Sequence, residues 1–197
     1  MNTPLSEELI KMAREDIDLR HELATDGSLF NSYHPQMKAL HDRNAKRLDQ
    51  IVERQGWPGK STVGEEASQA AWLILQHAIA HPALQRKCFL LLVEQVQAGE
   101  ISPKEMAMLE DRIRCFEGRP QRFGTQFDWD EQKLMSPLPM DDVNLVEERR
   151  KHIGLAPMSE EIVAKRKETE ASGEQPPADY RQYLNEKEAW LTANGWR

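Results

Sequence analysis

The sequence predicts a mainly α fold, a compact multi-helix domain with one small β-hairpin near residues 121–135. Three observations carry that expectation. Apolar residues recur at helical spacing, with Leu9, Ala13, Ile17 and Leu23 on one stripe and Met37, Leu40, Leu48, Ile51 and Val52 on another. Helix-boundary residues punctuate these stripes: Ser6, Pro35, Ser102-Pro103 and Asp142 stand at starts, and Gly99, Gly118 and Gly154 at ends. Strand-like alternation is confined to Gln121 through Trp129, with a short return at Lys133-Leu134-Met135.

The first helix opens at Ser6, with Glu7 and Glu8 in its first turn, and ends at Thr25-Asp26-Gly27-Ser28. Asp16 and Arg20 lie one turn apart beside its stripe, so a local pair is the simplest expectation. The second helix runs from near Pro35 to Arg54, with Asn44 inside its stripe and His41 almost a turn earlier. A buried amide needs partners, since leaving one unsatisfied costs roughly 1–3 kcal/mol. Asn44 is therefore either a structural bridge between helices or a group that orients a ligand.

Gly56-Trp57-Pro58-Gly59 breaks the chain. Ser61 or Thr62 then caps a third helix, with Glu65 in capping-box register, expected to run through His77 to His81 and stop at Pro82. A fourth helix from about Ala83 to Ala98 is the most apolar, and a fifth buries Met106, Leu109, Ile113 and Phe116. After the hairpin, Asp141-Asp142 caps a helix through Arg150. The expected division is a helical core domain with the hairpin over residues 1–158. Residues 159–197 follow as a charged helix, a proline-containing linker and a C-terminal amphipathic helix carrying Tyr180, Tyr183, Leu184, Trp190 and Leu191. That last helix docks on the domain or on a second copy of the chain, which makes a homodimer through it one expectation.

A length of 197 residues suffices for a sizeable core, and 39% hydrophobic with 30% charged residues is a soluble globular composition. A net charge of −7 argues against nucleic-acid binding through the overall field. No run has the length to span a bilayer, and Met1-Asn2-Thr3-Pro4 leads into charged residues rather than a secretory signal. Cys88 and Cys115 are too few for a disulfide framework and read as reduced core thiols of a cytoplasmic protein.

The run Gly56 to Gly64, then Ala70 to Ile74 with Gln76-His77-Ala78, resembles a bacterial family catalogued as domain of unknown function 6624. The likeness extends to Gln85-Arg86, Asp111-Arg112, Gly118, Pro120-Gln121, Gly124-Thr125-Gln126, and Val143 to Arg150 with Gly154-Leu155 and Pro157. It covers roughly Asp42 to Met158. The family name carries no activity. The resemblance implies that His77, Gln76, Asp111, Arg112, Thr125 and Gln126 belong to a shared polar pattern that suits a site.

His77 is the candidate proton-transfer residue, since an imidazole titrates near neutrality, with a satisfied core histidine as the alternative. Asp111 is the candidate to orient it. Gln76, Arg112, Trp57, Thr125, Gln126 and Asn44 are candidate substrate contacts, Arg112 for an anionic group; each has a plain structural role as its alternative. His77 and His81 have the i, i+4 spacing of helical metal sites, but Ala78 stands where the zincin glutamate belongs and no third ligand has diagnostic spacing. The leading expectation is thus a small enzyme acting on a small polar, anionic molecule without cofactor, membrane or nucleic-acid partner. A non-enzymatic helical binding protein and a metal enzyme using His77 and His81 are the alternatives.

Overall fold

Two long amphipathic α-helices and three shorter ones build the first half of the chain. In the computed structural model, residues 3–25, 27–30 and 33–197 are described, Phe30 by its backbone alone; Asp26, expected in the first helix end, lies outside them. Helix α1 (Thr3–Thr25) buries Leu5, Leu9, Met12, Ala13 and Leu23. It begins before Ser6, which is not its cap: the Ser6 hydroxyl donates to Val63 O at 2.6 Å and ties two elements together. Its buried stripe includes Asp16 at 1% exposure, while Ile17 is 54% exposed. The expected apolar position is therefore taken by a carboxylate.

Helix α2 (Pro35–Gln55) has proline at its start, where a missing N–H is harmless, and buries His41 and Asn44 among Met37, Leu40, Leu48 and Ile51. The single third helix expected from Ser61 to His81 is instead α3 (Lys60–Val63) and α4 (Glu65–His77). Gly64 separates them at φ 88° and ψ 162°, a conformation open essentially to glycine alone. The Thr62–Glu65 capping box does not form, and the Thr62 hydroxyl donates to Gly59 O at 2.8 Å. Helix α4 stops at His77 because Pro82 disfavours helical backbone at His81 and would crowd the preceding turn. Pro82 opens α5 (Pro82–Gln97), which buries Leu84, Gln85, Cys88 and Leu92. Helix α4 packs on α1 and α2, and α5 on α2 and α4. Leu9, Leu48, Ala71 and Leu75 are fully inaccessible at the centre.

The chain divides into two compact units, 1–102 and 103–197. The second unit holds α6 (Pro103–Phe116), β1 (Phe127–Trp129), β2 (Met135–Pro137), α7 (Val143–His152), α8 (Met158–Ser172) and α9 (Tyr180–Ala193). The two strands pair antiparallel, Phe127 with Pro137 and Trp129 with Met135. The hairpin is thus shorter and later than expected. Residues 121–126 form a loop held by side chains, and Gln121 makes one isolated bridge to Met140. Buried Arg150 donates to Ala156 O at 2.6 Å and Phe123 O at 2.7 Å, and pairs with Glu161 at 3.1 Å. Helix α8 packs on β2, and Arg166 donates to Met135 O at 3.1 Å. In α9, Tyr183 and Lys187 both bond Asp128, Leu191 is buried, and Trp190 meets Phe116 edge-on, as does Trp196 beyond it. The segment after 158 is therefore bound into this unit by its own side chains.

Candidate functional site

Three helices of the first unit each place one polar side chain at a common point. Asp16 comes from α1, His41 from α2 and His77 from the last turn of α4. The helices are held in this register beside the cluster. Asn44, one turn beyond His41, donates from Nδ2 to Met12 O at 3.4 Å, one turn before Asp16. Its Oδ1 accepts from Arg43 at 3.2 Å. Asn44 thus bridges α1 and α2.

His77 Nδ1 stands 2.9 Å from each Asp16 oxygen. His41 Nε2 lies 3.2 Å from Asp16 Oδ2, yet it is buried without a hydrogen bond of good geometry. The two imidazoles face each other with centroids 5.0 Å apart and planes tilted by 42°. On its other side, His41 Nδ1 meets the Tyr33 hydroxyl at 2.8 Å. Exposure grades across the cluster: the Asp16 side chain is 1% exposed, His41 9% and His77 27%. Only His77 offers substantial access to solvent.

Burial opposes the negative charge on Asp16, but its contacts with His41 and His77 outweigh that cost and hold the carboxyl well below its ordinary 3.8. Tyr33 shifts the other way: burial, then the charges of Asp42 and Asp16, push its phenol above 10, so it stays neutral with a proton to give. A second pair flanks the cluster, with His81 Nε2 2.9 Å from Asp42 Oδ1 and Lys38 2.6 Å from Asp42 Oδ2.

The expected site residues are divided by this arrangement. His77 is in the cluster, but its carboxylate partner is Asp16, not Asp111. Asp111, fully buried on α6, accepts from Arg122 N at 2.7 Å, from Phe123 N at 3.2 Å, and from Thr125 N and Oγ1 at 3.0 Å each. Burial raises its carboxyl above 3.8 against these donors. Arg112 donates to Gln126 Oε1 at 3.2 Å, and burial lowers its guanidinium to about 10. Gln126 also donates to Met108 O at 3.3 Å. Asp111, Arg112, Thr125 and Gln126 together fold a loop of the second unit. Gln76 is buried beside His77 on α4, and Trp57 is buried in the loop before α3. His77 ends α4 and His81 precedes α5, so the two do not share the helix expected, and they contact different carboxylates, Asp16 and Asp42.

The sequence reading names none of Asp16, His41 and Tyr33 as a site residue, and Asp16 bonds His77 rather than pairing locally with Arg20. One signal was present: Asp16 and His41 sit at stripe spacing on α1 and α2, one turn from Met12 and Met37, where apolar residues belong.

Fold and site define a mainly helical protein with a two-histidine, one-carboxylate cluster inside its first unit. The chain belongs to the family of unknown function DUF6624, whose model matches residues 3–173. The match is longer than the resemblance suggested, reaching back through α1 and on to the end of α8. No curated protein and no solved structure matches the chain. Among the described residues, no helix is long and apolar enough to cross a membrane.

Proposed function

We propose that the chain is an enzyme acting on a small polar molecule, with His77 moving protons and Asp16 positioning it. The observation that supports this is the double 2.9 Å contact between His77 Nδ1 and a buried carboxylate. An ionised acceptor there holds the proton on Nδ1 and leaves Nε2 with its lone pair. Nε2 makes no hydrogen bond to the described residues, and the ring is the exposed member of the cluster. This is the arrangement a general base needs: a fixed tautomer, a fixed ring and access for substrate. The expected preference for an anion rested on Arg112, which bonds Gln126, so the proposal extends only to a small polar substrate. Cys88 and Cys115 are both free thiols, and we place the protein in the reducing cytoplasm on that ground.

The test pairs a turnover screen with a direct look at the ring. Purified protein and His77→Asn are assayed on ester, amide and phosphoester panels and on hydratable carbonyl and enol compounds. The variant is expected to lose about 10²–10⁴-fold in kcat, with its circular dichroism unchanged. Nitrogen-15 spectra of the native imidazole are expected to place the proton on Nδ1 at neutral pH. A proton on Nε2, or turnover indifferent to His77→Asn, defeats the assignment.

A further inference from the structure

The cluster has one feature that proton transfer at His77 does not use. His41 Nε2 lies 3.2 Å from the Asp16 oxygen already bonded to His77, but it is not aligned with that oxygen and no hydrogen bond of good geometry results. The residue is 8% exposed, so water does not readily supply a substitute. A buried ring nitrogen without an aligned partner is uncommon and calls for an occupant. The three nearest ligand-type atoms, one each from Asp16, His41 and His77, all lie within 4.8 Å of one another.

We propose that Asp16, His41 and His77 bind one divalent first-row transition ion through an Asp16 oxygen, His41 Nε2 and His77 Nδ1. Three lines meet here. Two imidazoles and one carboxylate are a donor set that favours zinc, iron, cobalt or manganese over calcium or magnesium. Such ions hold nitrogen and oxygen at about 2.0–2.2 Å, which puts neighbouring ligand atoms about 2.8–3.6 Å apart between octahedral and tetrahedral geometry. The 2.9 Å and 3.2 Å separations to Asp16 Oδ2 already have that length. The third line is the Tyr33 hydroxyl, 2.8 Å from His41 Nδ1. The neutral phenol oxygen can accept a hydrogen bond from Nδ1–H, which leaves the Nε2 lone pair for the ion and fixes the ring, as outer partners of metal-bound histidines do.

Three protein ligands leave coordination positions open, the mark of a reactive rather than a purely structural centre. The 27% exposed edge at His77 gives such positions a path to solvent. This inference rests on the reading above only for the location of the working site. With an ion bound, His77 Nδ1 carries the metal and the ring proton sits on Nε2, so ion binding and proton transfer through Nε2 are alternative states of one site.

The untagged full-length protein is stripped with chelator and titrated with Zn²⁺ by calorimetry, then with Co²⁺ by visible absorption. One equivalent is expected to bind, and Co²⁺ is expected to show ligand-field bands of a low-symmetry nitrogen and oxygen site. Asp16→Asn and His41→Gln are each expected to weaken binding beyond the about 10- to 100-fold loss expected for Tyr33→Phe, the outer partner. His81→Gln, four residues beyond His77 but bonded to Asp42, is expected to bind as the native protein does. Should a variant misfold by circular dichroism, the native Co²⁺ spectrum still decides. No stoichiometric binding, a hexa-aqua Co²⁺ spectrum, binding indifferent to His41→Gln, or equal loss in His81→Gln each overturns the proposal. Because these readouts are binding and spectra, their failure leaves the proton-transfer reading to stand or fall on the His77 tautomer.

Discussion

Two buried aspartates show how the same side chain is handled in opposite ways. Asp16 faces two imidazoles that can carry positive charge or a proton, and its carboxyl is held low. Asp111 faces backbone N–H groups, whose dipoles do not fully offset burial, and its carboxyl is raised. The first arrangement leaves a partly exposed imidazole beside the acid, whereas the second organises a loop. Asp111→Ala is expected to destabilise the second unit by about 3 kcal/mol or more, since the N–H groups of Arg122, Phe123 and Thr125 lose their acceptor. Urea denaturation followed by tryptophan fluorescence reads this, and a loss under 1 kcal/mol would remove Asp111 from that structural role. The pH dependence has a definite sign. A carboxyl raised in the folded state favours folding below its ordinary 3.8 and loses that contribution as pH rises through the raised value. Asp111→Asn is therefore expected to flatten the stability profile just above pH 3.8. The sequence marked Asp111 as polar on an apolar helix but held no sign of its partners, which a loop brings in from 11 to 14 residues away. Asp16 was legible only as an acid on a buried stripe, because its partner His77 is 61 residues distant.

At the scale of elements, boundaries set by local chemistry were readable and those set by tertiary demand were not. Proline at the starts of α2, α5 and α6 and the Asp142 cap on α7 act within a single turn, so the sequence located them closely. The sequence predicts no break at Gly64, because Thr62 and Glu65 offer a good capping box that competes with it. Gly64 adopts backbone angles that end α3, and the Ser6 bond to Val63 O joins α1 to α3 just ahead of the break. Gly64→Ala is expected to cost about 1–3 kcal/mol, because a side chain at φ 88° and ψ 162° is strained whatever surrounds it. Thermal unfolding of the first unit reads the change, and an unshifted midpoint would mean that α3 and α4 fuse without penalty. The hairpin register was misread for a similar reason. Alternation over Gln121 to Trp129 is matched by no strand before Phe127, because Gln121 and Asp111 take up the backbone groups of the intervening loop.

At the scale of the molecule, every residue of the cluster belongs to one unit. Asp16, His41, His77 and Tyr33 all lie before Ser102, and so do the helices that position them. The packing that fixes them, α4 on α1 and α2 with Leu9, Leu48, Ala71 and Leu75 fully buried, is internal to residues 1–102. The second unit has a core of its own in Leu109, Val146, Leu191 and Trp196, with the Asp111 and Arg150 networks bracing it. Each half therefore has buried apolar residues of its own, one requirement for independent folding. A fragment of residues 1–102 is expected to fold cooperatively, keep helical circular dichroism and retain the His77 proton on Nδ1. The full chain should in turn unfold in two steps wherever the two units differ in stability. If the fragment is unfolded, the cluster depends on residues beyond 102. A fragment that is folded but has lost the Nδ1 proton would show that the second unit shapes the site without supplying its side chains. The family model spans both units through residue 173, so a fold confined to the first would separate the part that holds the cluster from the part inherited alongside it.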